Sequence, residues 1–595
     1  MGKGPHLSQY DVLVVGSGAA ALTAAVTAAS AGLSVLVLEK ASAVGGTSAL
    51  SGGVAWIPCN PRLDTISRET GENDSPERAM TYLRSLVGAG DVRTEILDAF
   101  VGHGRAMVEF LERNTEVRFE ATTYPDYKAH LPGGMPVGRS IAAAPFDGAR
   151  LGQWFGRLKR PMPELCLLGS MMVDGMDLHH LTNMGRSPRS LLHVGRRLGA
   201  FLVDLPRFGR GRRLVMGNAL VARLLKSALD QGVEIRTETP AIALLRENGR
   251  VVGATVRHEG RETAVRARLG VVLATGGFAH DEALKAEFIP HAAQHETICP
   301  ETNTGDGLRM GLGAGGHFGG PTWHDFLGTQ ITMMRGAKGE VISKIPFLRR
   351  DRNKPGYVLV DRAGRRFVNE AWPYNDVAHA MNETAGAIPA FLICDHLRLR
   401  RYGLGLVRPG PAWARPLRRY LASGHLVRGR TLAELAAKLE IDPAGLMHTV
   451  ERMNGYARSG RDEEFHKGET PYDRWQGDPE VGPNPCLGPI ERGPFYAVAV
   501  WPGNLGTFRG LETDGEARVL DGEGKPIPGL FAAGCDMHAA FSGHYPGGGS
   551  AIGPGMTFGF IAARALAAEA EADLSAPAVS GARMGDKPVD LESAT

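Results

Sequence analysis

The sequence predicts an α/β fold in which one parallel sheet is assembled from both ends of the chain. Residues 10–40, YDVLVVGSGAAALTAAVTAASAGLSVLVLEK, have the pattern of an apolar strand, a glycine turn, an alanine-rich helix and a second apolar strand. GVVLATGGF at 270–278 and GLFAAGCD at 529–536 are two further apolar strands, each closed by glycine. Because such units are typical of dinucleotide-binding sheets, we predict a discontinuous Rossmann-type domain.

The turn in the first segment has the residues that a pyrophosphate-binding turn needs. Gly16 permits the tight turn, and Gly18 leaves room for a phosphate at the N-terminus of the helix. Ala21 keeps the helix close to the sheet. Glu39 ends the second strand and can accept hydrogen bonds from a ribose diol. This turn alone does not separate NAD from FAD.

Two later segments favour FAD. ASAVGGTSALSGG at 41–53 is a polar, glycine-rich loop suited to a second close approach of the backbone to a dinucleotide. A nicotinamide-binding domain is normally completed within one contiguous segment, whereas GLFAAGCD returns to the sheet near the end of this chain. We therefore predict FAD as the cofactor. The predicted FAD-binding residues are Gly16, Gly18, Ala19, Ala20, Glu39, Lys40, Gly45, Gly46, Thr47, Ser48, Gly52, Gly53, Ala274, Thr275, Gly276, Gly534, Ser550 and Ile552.

Composition limits the other function classes. The chain has 595 residues, 43% hydrophobic and 22% charged, which predicts two or three globular domains. A formal net charge of +3 gives no general electrostatic case for binding nucleic acid. The six cysteines are far apart and form no C-x-x-C pair, so we predict reduced thiols and no metal site.

Targeting signals are also absent from the sequence. No apolar run reaches the length of a membrane span, and the N-terminal segment lacks the pattern of a secretory signal. These absences predict a cytoplasmic protein. The polar tail after about residue 570 has no hydrophobic periodicity, and we predict that it is disordered.

The bipartite nucleotide pattern resembles the flavoprotein family that includes the soluble fumarate reductases and the 3-ketosteroid dehydrogenases. NTGDGLRMGLGAGG at 303–316 and VDRAGRRFVNE at 360–370 are similar to segments in and near the substrate-capping domain of that family. Membrane-complex relatives attach FAD covalently through a histidine in the loop after the first strand–helix–strand unit. GGTSALSGG has no histidine, so the resemblance implies non-covalent FAD.

The resemblance also implies a domain organisation. We predict that residues 1–150, 215–302 and 495–595 form the discontinuous FAD-binding domain. An inserted α+β catalytic domain, which caps the substrate, is predicted at 303–494.

Residues 151–214 form a predicted basic, helical insertion. GRSPRSLLHVGRRLGAFLVDLPRFGRGRR has eight arginines and one acid, Asp204. The apolar residues recur at helical spacing: Leu191, Val194, Leu198, Phe201 and Leu205. One interpretation is a peripheral contact of residues 186–213 with an anionic membrane surface, at its inner face, where a lipophilic substrate would partition. The other is a helical hairpin packed on its own domain with solvated arginines.

The glycine-rich stretch SGHYPGGGSAIGPGMTFGF at 542–560 indicates a place where the backbone approaches a bound molecule closely. It resembles the Y-P-G-x-G pattern of the 3-ketosteroid Δ1-dehydrogenases, in which a tyrosine hydroxyl and a glycine amide hold the C3 carbonyl of the steroid. The resemblance implies these roles for Tyr545 and Gly549. The alternative is a flavin-binding turn in which Tyr545 only packs.

Two further tyrosines are candidates for proton transfer. Tyr374 follows R-F-V-N-E, as the catalytic base does in the Δ1-dehydrogenases, and Tyr127 lies in a segment similar to the one whose tyrosine assists that base. A phenol with a pKa near 10 needs a second hydroxyl or a positive field to act as a base at neutral pH. Tyr124 is a predicted substrate contact. Either Tyr374 or Tyr127 could instead be a wall of the pocket.

The resemblance implies an FAD-dependent oxidoreductase that introduces a C1–C2 double bond beside the C3 ketone of a steroid. A hydride would pass to flavin N5 and a proton to the tyrosine base. An external electron acceptor such as a quinone is the implied partner, with no nucleic acid.

Several alternatives remain open. The Δ4 type is less favoured because Gly547 stands where that type has a serine. An ene-reductase acting on another bulky cyclic ketone uses the same groups in reverse. Fumarate reduction is disfavoured because SGHYPGGG lacks the arginine that a dicarboxylate needs. A membrane-surface flavoprotein for binding or electron relay is the non-enzymatic alternative.

Overall fold

The elements of the chain are numbered in sequence order. The computed structural model describes residues 8–88, 93–185, 187–347, 351–410 and 417–575. The strands are β1 (Ser8–Val15), β2 (Val35–Leu38), β3 (Val54–Trp56), β4 (Phe119–Ala121), β5 (Ser140–Ala143), β6 (Phe146–Asp147), β7 (Arg213–Leu214), β8 (Glu234–Arg236), β9 (Ala241–Glu247), β10 (Arg250–His258), β11 (Arg261–Leu273), β12 (Glu296–Thr297), β13 (Phe326–Arg335), β14 (Val341–Pro346), β15 (Tyr357–Val360), β16 (Ala390–Asp395), β17 (Val427–Gly429), β18 (Phe495–Thr507), β19 (Arg518–Leu520) and β20 (Pro526–Ala532). The helices are α1 (Ala19–Ser30), α2 (Gly46–Leu50), α3 (Leu63–Thr70), α4 (Pro76–Val87), α5 (Thr94–Asn114), α6 (Gly175–Thr182), α7 (Pro188–Phe208), α8 (Met216–Asp230), α9 (Glu282–Phe288), α10 (Asp306–Gly313), α11 (Tyr374–Glu383), α12 (His396–Tyr402), α13 (Leu417–Ala422), α14 (Leu432–Leu439), α15 (Pro443–Ser459), α16 (Pro471–Gln476) and α17 (Ile552–Ser575).

The first sheet combines strands from the start, middle and end of the chain. Its order is β19-β20-β11-β1-β2-β8, and the five strands from β20 to β8 run parallel. β10 and β9 extend from β11 in antiparallel pairing. The near-continuous Val and Leu sequence of β1 and β2 suits parallel strands that are covered on both faces. The predicted α/β class is confirmed.

Small residues allow the helices to pack closely on this sheet. α1 is almost entirely buried and lies against α17, which also packs on α5. At the α1–α17 contact, a Cβ on Gly559 would overlap the carbonyl oxygen of Ala20. The last helix is therefore fitted against the first, so both ends of the chain support the same glycine turn.

The second sheet has the order β14-β13-β18-β16-β15 and is largely antiparallel. β12 and β17 also pair with β18, and α11 packs on β13. The predicted domain boundary at 494/495 falls at the start of β18, which lies in the middle of this sheet. After β18 the chain continues into β19 and β20 of the first sheet. The two sheets are therefore joined by this segment of the chain.

The 151–214 segment contains α6 and α7. α7 buries Val194 and Phe201, whereas Leu191 and Leu205 of the predicted apolar stripe are exposed. In the part of the chain that the structure describes, no helix has both the length and the apolar character that crossing a bilayer requires. α17 continues to Ser575, and the rest of the tail predicted to be disordered lies outside the described residues.

Candidate active site

A cavity of about 370 Å³ begins at the glycine turn between β1 and α1 and reaches the second sheet. The predicted residues that line it are Gly16, Gly18, Ala19, Ala20, Glu39, Lys40, Gly46, Thr47, Ser48, Gly52, Ala274, Thr275, Gly276, Gly534, Ile552, Tyr124, Tyr127, Tyr374, Tyr545 and Gly549. One cavity thus brings together the predicted nucleotide-binding residues and the predicted tyrosines.

Backbone conformation explains the glycines at the nucleotide end. Gly16 has φ +110°, and a Cβ there would overlap the carbonyl oxygen of Ala274 on the neighbouring strand. Gly18 caps α1 with no side-chain hydrogen bond, and the amide of Ala19 donates to Ser48 Oγ at 3.0 Å. The N-terminus of α1 therefore faces the cavity with the partial positive charge that favours a phosphate.

Glu39 lies at the bottom of the same end and is 8% exposed. The hydroxyl of Ser17 and the amide of Ala41, at 2.7 Å, donate to its carboxylate. Burial raises the pKa of Glu39, and these hydrogen bonds oppose that rise. A carboxylate has acceptor capacity beyond two donors, so this group fits a ribose diol.

Two contacts tie separate segments together around this end. Lys40 Nζ lies 2.8 Å from Asp306 and 2.6 Å from Thr304 Oγ1, which joins the β2 end to the NTGDG segment. The buried carboxylate of Asp536 accepts from Thr275 Oγ1 at 2.9 Å and from the amide of Gly277 at 3.1 Å. These contacts hold the glycine turns after β11 and β20 side by side, an arrangement that fits an extended dinucleotide.

Three predicted FAD-binding residues do not line the cavity. The amide of Gly45 donates to Ser17 Oγ at 3.0 Å. Gly53 has φ +63°, and a Cβ there would overlap the backbone at Met216. Ser550 Oγ donates to the carbonyl of Gly547 at 2.7 Å. Each of them shapes a turn behind the wall of the cavity.

Three tyrosines from distant segments meet at the other end. The ring centroid of Tyr374 lies 5.8 Å from that of Tyr127 and 5.7 Å from that of Tyr545. The centroids of Tyr127 and Tyr545 are 5.6 Å apart. The Tyr374 hydroxyl interacts with both other hydroxyls. Tyr374 is the first residue of α11, and the amide of Tyr127 donates to the carbonyl of Pro546 at 2.8 Å.

Burial controls the acidity of these phenols. It raises the pKa of Tyr374 well above its ordinary value, and the neighbouring Tyr127 and Tyr545 add to this effect. Burial also raises the pKa of Tyr545, although the Tyr374 hydroxyl and the amides of Ala551 and Gly549 oppose it. The backbone amides of Gly549 and Ala551 therefore lie close to the Tyr545 hydroxyl, at the tyrosine end of the cavity.

The glycine density of residues 545–549 has a packing cause. Gly549 has φ +99°, and a Cβ there would overlap the carbonyl of Val54. A Cβ on Gly547 would lie 2.5 Å from the ring of Trp56. Tyr82 OH donates to the carbonyl of Pro546 at 2.7 Å. The loop is thus pressed between β3 and α4, which fixes the donor at Gly549.

A buried ion pair supports Trp56 from behind. Asp126 accepts from Trp56 Nε1 at 2.8 Å and from Arg139 Nη1 at 2.7 Å, and both charged side chains are fully buried. Arg139 also pairs with Asp74 at 2.6 Å. Asp126 precedes Tyr127, so this network fixes the position of the second tyrosine as well.

Several cavity residues were missed by sequence reasoning. The ring centroids of Tyr472 and Tyr127 lie 4.5 Å apart, and those of Trp475 and Tyr124 lie 4.8 Å apart. The aromatic pair in TPYDRWQ was the available signal. Other apolar residues of the wall include Met162, Leu165, Ile298, Leu327, Ile345, Phe347 and Leu505. Nothing in their local sequence distinguishes them from core residues.

Comparison of the sequence with known proteins identifies a matching family and similar relatives. The family described as "FAD binding domain" matches residues 11–552. The 4-oxocyclohexanecarboxylate 2-dehydrogenase of Sinomonas cyclohexanicum is 39% identical, with 99% of each chain covered. The 3-oxosteroid 1-dehydrogenase of Mycolicibacterium smegmatis is 38% identical over 95% of this chain and 98% of that relative.

A solved structure is similar over nearly the whole chain. The 3-ketosteroid delta1-dehydrogenase of Sterolibacterium denitrificans, crystallised with 1,4-androstadiene-3,17-dione, has a TM-score of 0.86 and 36% identity. The match covers 94% of this chain and 100% of that one. The predictions of the family and of FAD are confirmed. The chain belongs to the FAD-binding-domain family, as an FAD-dependent oxidoreductase of the 3-ketosteroid Δ1-dehydrogenase-like group.

Proposed function

We propose that the protein oxidises a 3-ketosteroid by introducing a C1–C2 double bond next to the C3 ketone. The observation that carries this proposal is the meeting of Tyr545, Tyr374 and Tyr127 at one end of the cavity, where Gly549 also lines the wall. The names of the similar proteins support the same reaction. The enzyme acts on a CH–CH bond. An external electron acceptor such as a quinone then reoxidises the reduced flavin.

The two sheets of the fold suit two domains with different roles. We assign the parallel sheet to a Rossmann-type FAD-binding domain, and the second sheet with its helices to an α+β capping domain that closes over the substrate. The predicted ranges are 1–150, 215–302 and 495–595 for the first domain and 303–494 for the second, except that β12 and β18 fall within the first set of ranges but pair in the second sheet. FAD binding is non-covalent, since residues 41–53 contain no histidine to which FAD could be attached.

The predicted catalytic residues have separate roles in binding the ketone and in accepting the proton. Tyr545 and Gly549 donate hydrogen bonds to the ketone oxygen, which acidifies the adjacent C–H because negative charge develops on that oxygen. Tyr374, assisted by Tyr127, accepts the proton from C2. FAD, when bound, supplies the acceptor for the hydride from C1. The substrate loses one hydride and one proton, and the two carbons form the double bond.

The wall of the cavity favours a neutral, apolar ring system. Met162, Leu165 and Phe347 are among its lining residues, and Tyr124 contributes a flat ring. Among the described lining residues the single cation is Lys40, which pairs with Asp306 at the nucleotide end. A ketone carrying a carboxylate, as in the name of the Sinomonas relative, is the second candidate. It would require a cation that the described wall does not provide.

An exposed apolar face on the insertion supports a peripheral membrane contact through residues 186–213. Leu192 and Val203 of α7 are each 74% exposed and Met176 of α6 is 67% exposed, with Arg189 and Arg196 exposed nearby. Exposed apolar residues flanked by basic residues suit an anionic lipid surface. Met162 and Leu165 of the same insertion line the cavity, so substrate could enter from that surface. We place the protein in the cytoplasm, at the inner face of the membrane.

The test is anaerobic mixing of the holoenzyme with a 3-keto-4-ene steroid and, in parallel, with a saturated 3-ketosteroid and with 4-oxocyclohexanecarboxylate. We expect the steroid to bleach the flavin and to yield the 1,4-diene. Bleaching by the carboxylate alone would support the second candidate, and a Δ4 product from a saturated steroid would support the other regiochemistry. If no cyclic ketone reduces the flavin, the role is electron relay or ene reduction.

A further inference from the structure

A buried arginine lies behind the tyrosine cluster. Arg352, in the loop between β14 and β15, is 1% exposed. Its guanidinium donates to backbone carbonyls: Nε to Phe347 at 3.3 Å, and Nη1 to Glu370 and, at 2.6 Å, to Trp372. Nη2 has no hydrogen-bond partner among the described residues. Neutral carbonyls hold this cation in place, so its hydrogen bonds bring no negative charge to it.

The nearest carboxylates are engaged elsewhere. Glu370 pairs with Arg366 at 2.8 Å and with Lys467 at 3.2 Å. Asp473 accepts from Asn369 and from the amide of Gly468, and burial raises its pKa, which favours its neutral form. Asp351 accepts from the amide of Gly405 at 2.6 Å and is the other carboxylate within electrostatic reach of Arg352.

Arg352 lies close to the start of α11, because its Nη1 donates to the carbonyl of Trp372, two residues before Tyr374. Tyr472 on α16 and Tyr127 in the loop after β4 both interact electrostatically with the guanidinium. The rings of Tyr127 and Tyr472 are in contact, and Tyr127 in turn contacts Tyr374 at the start of α11. Burial lowers the pKa of Arg352, but an arginine side chain stays protonated in proteins. A positive charge close to a phenol favours the phenolate.

We infer that Arg352 is a positioning residue for the proposed reaction, whose buried charge stabilises the Tyr374–Tyr127 pair when that pair has lost one proton. The inference rests on the proposed function. The pair must release one proton to solvent before it can act as a base. It then accepts the proton from C2 of the substrate, which restores two neutral hydroxyls. No oxidant beyond the proposed hydride acceptor is needed.

The test compares Arg352→Gln and Arg352→Lys with the native holoenzyme. The rate of anaerobic flavin reduction by a 3-keto-4-ene steroid is measured against pH, and tyrosinate absorbance is titrated in the substrate-free protein. For Arg352→Gln we expect both midpoints to move upward by about one pH unit or more, and the rate at neutral pH to fall about tenfold for each unit. Arg352→Lys keeps the charge, and its midpoints should stay near the native values.

The matched control is Arg223→Gln. Arg223 is also a buried arginine held by backbone carbonyls, those of Ala144, Glu116 and Pro145, but it lies at α8, away from the cavity. Its loss should lower stability without moving either midpoint. Unchanged midpoints in Arg352→Gln would overturn the inference. If Arg352→Gln does not retain FAD, the Arg352→Lys variant tests the inference instead. Lysine keeps the positive charge, so a rise of about one pH unit in either midpoint of Arg352→Lys would contradict a role of that charge.

The two readouts also separate this inference from the proposed function. If no ketone reduces the flavin, the proposed function fails, but the tyrosinate titration of the substrate-free protein still decides whether Arg352 acts on the phenols.

Discussion

At the scale of single residues, the account depends on two donors and a base around one oxygen position. Tyr545 and Gly549 come from a loop that Trp56 and Val54 hold in place, and Tyr374 comes from the N-terminus of α11. The loop packs against β3, whereas α11 packs on β13 of the second sheet. The mutual position of the three groups therefore depends on how these elements fit together, and each residue can be tested separately.

Replacing Tyr545 by Phe removes one of the two donors and leaves the ring. Since loss of one donor to a developing oxyanion costs about 10²-fold to 10³-fold in rate, we expect flavin reduction by the steroid to slow by that factor. Stopped-flow absorbance under anaerobic conditions measures it. A rate within twofold of the native value would exclude a role for this hydroxyl in holding the ketone.

Some residues of the site were predictable, and the reason is local. Gly16 and Glu39 belong to a motif whose spacing is fixed by turn geometry, and the roles of Tyr545 and Gly549 could be proposed because their segment resembles a family pattern. Arg352 has no such pattern, because its environment is created by the carbonyls of a segment that is distant in sequence. The same holds for Asp536, which joins two glycine turns only after folding.

At the scale of elements, the contact between α1 and α17 determines where the nucleotide-binding turn lies. α1 was predictable from the alanine-rich run after Gly18. The glycines in the first turns of α17 obscure its helical pattern in the sequence. The strands of the second sheet were not predicted individually, since strand pairing across long loops leaves little local signal.

Gly559→Ala tests this contact. The new Cβ would overlap the Ala20 carbonyl, and we expect a loss of about 1 to 3 kcal/mol in the free energy of unfolding, together with weaker FAD retention. Gly102→Ala in α5 is the matched control, since it has open space around it and should be neutral or slightly stabilising. Urea unfolding of both variants decides, and equal stabilities would be inconsistent with a tight α1–α17 contact.

At the scale of the whole molecule, the exposed apolar face of the insertion is the feature that a freely soluble enzyme does not require. The sequence predicted a basic amphipathic helix, and the structure places part of its apolar stripe inward and leaves a second apolar face outward. Helical periodicity could not separate these faces, because α7 has apolar residues on more than one side.

Replacing both Leu192 and Val203 by Ser tests the membrane contact. Each apolar side chain transferred fully from water contributes about 1.5 to 3 kcal/mol, so co-sedimentation with anionic vesicles should weaken at least about tenfold. Flavin reduction by dissolved steroid should not change. Met447→Ser on α15 removes another exposed apolar side chain and serves as the control. Undiminished sedimentation of the double variant would disprove this role of α7.

The most direct measurement for the central claim is the rate of anaerobic flavin reduction by a 3-keto-4-ene steroid in three proteins: native, Tyr374→Phe and Tyr402→Phe. Tyr402 donates to Asp478 outside the cavity and controls for the loss of a phenol hydroxyl. We predict rapid bleaching with 1,4-diene formation in the native protein and in Tyr402→Phe, and a fall of about 10²-fold or more in Tyr374→Phe. Equal rates in the two variants, or native flavin that stays oxidised with the steroid, would contradict the account.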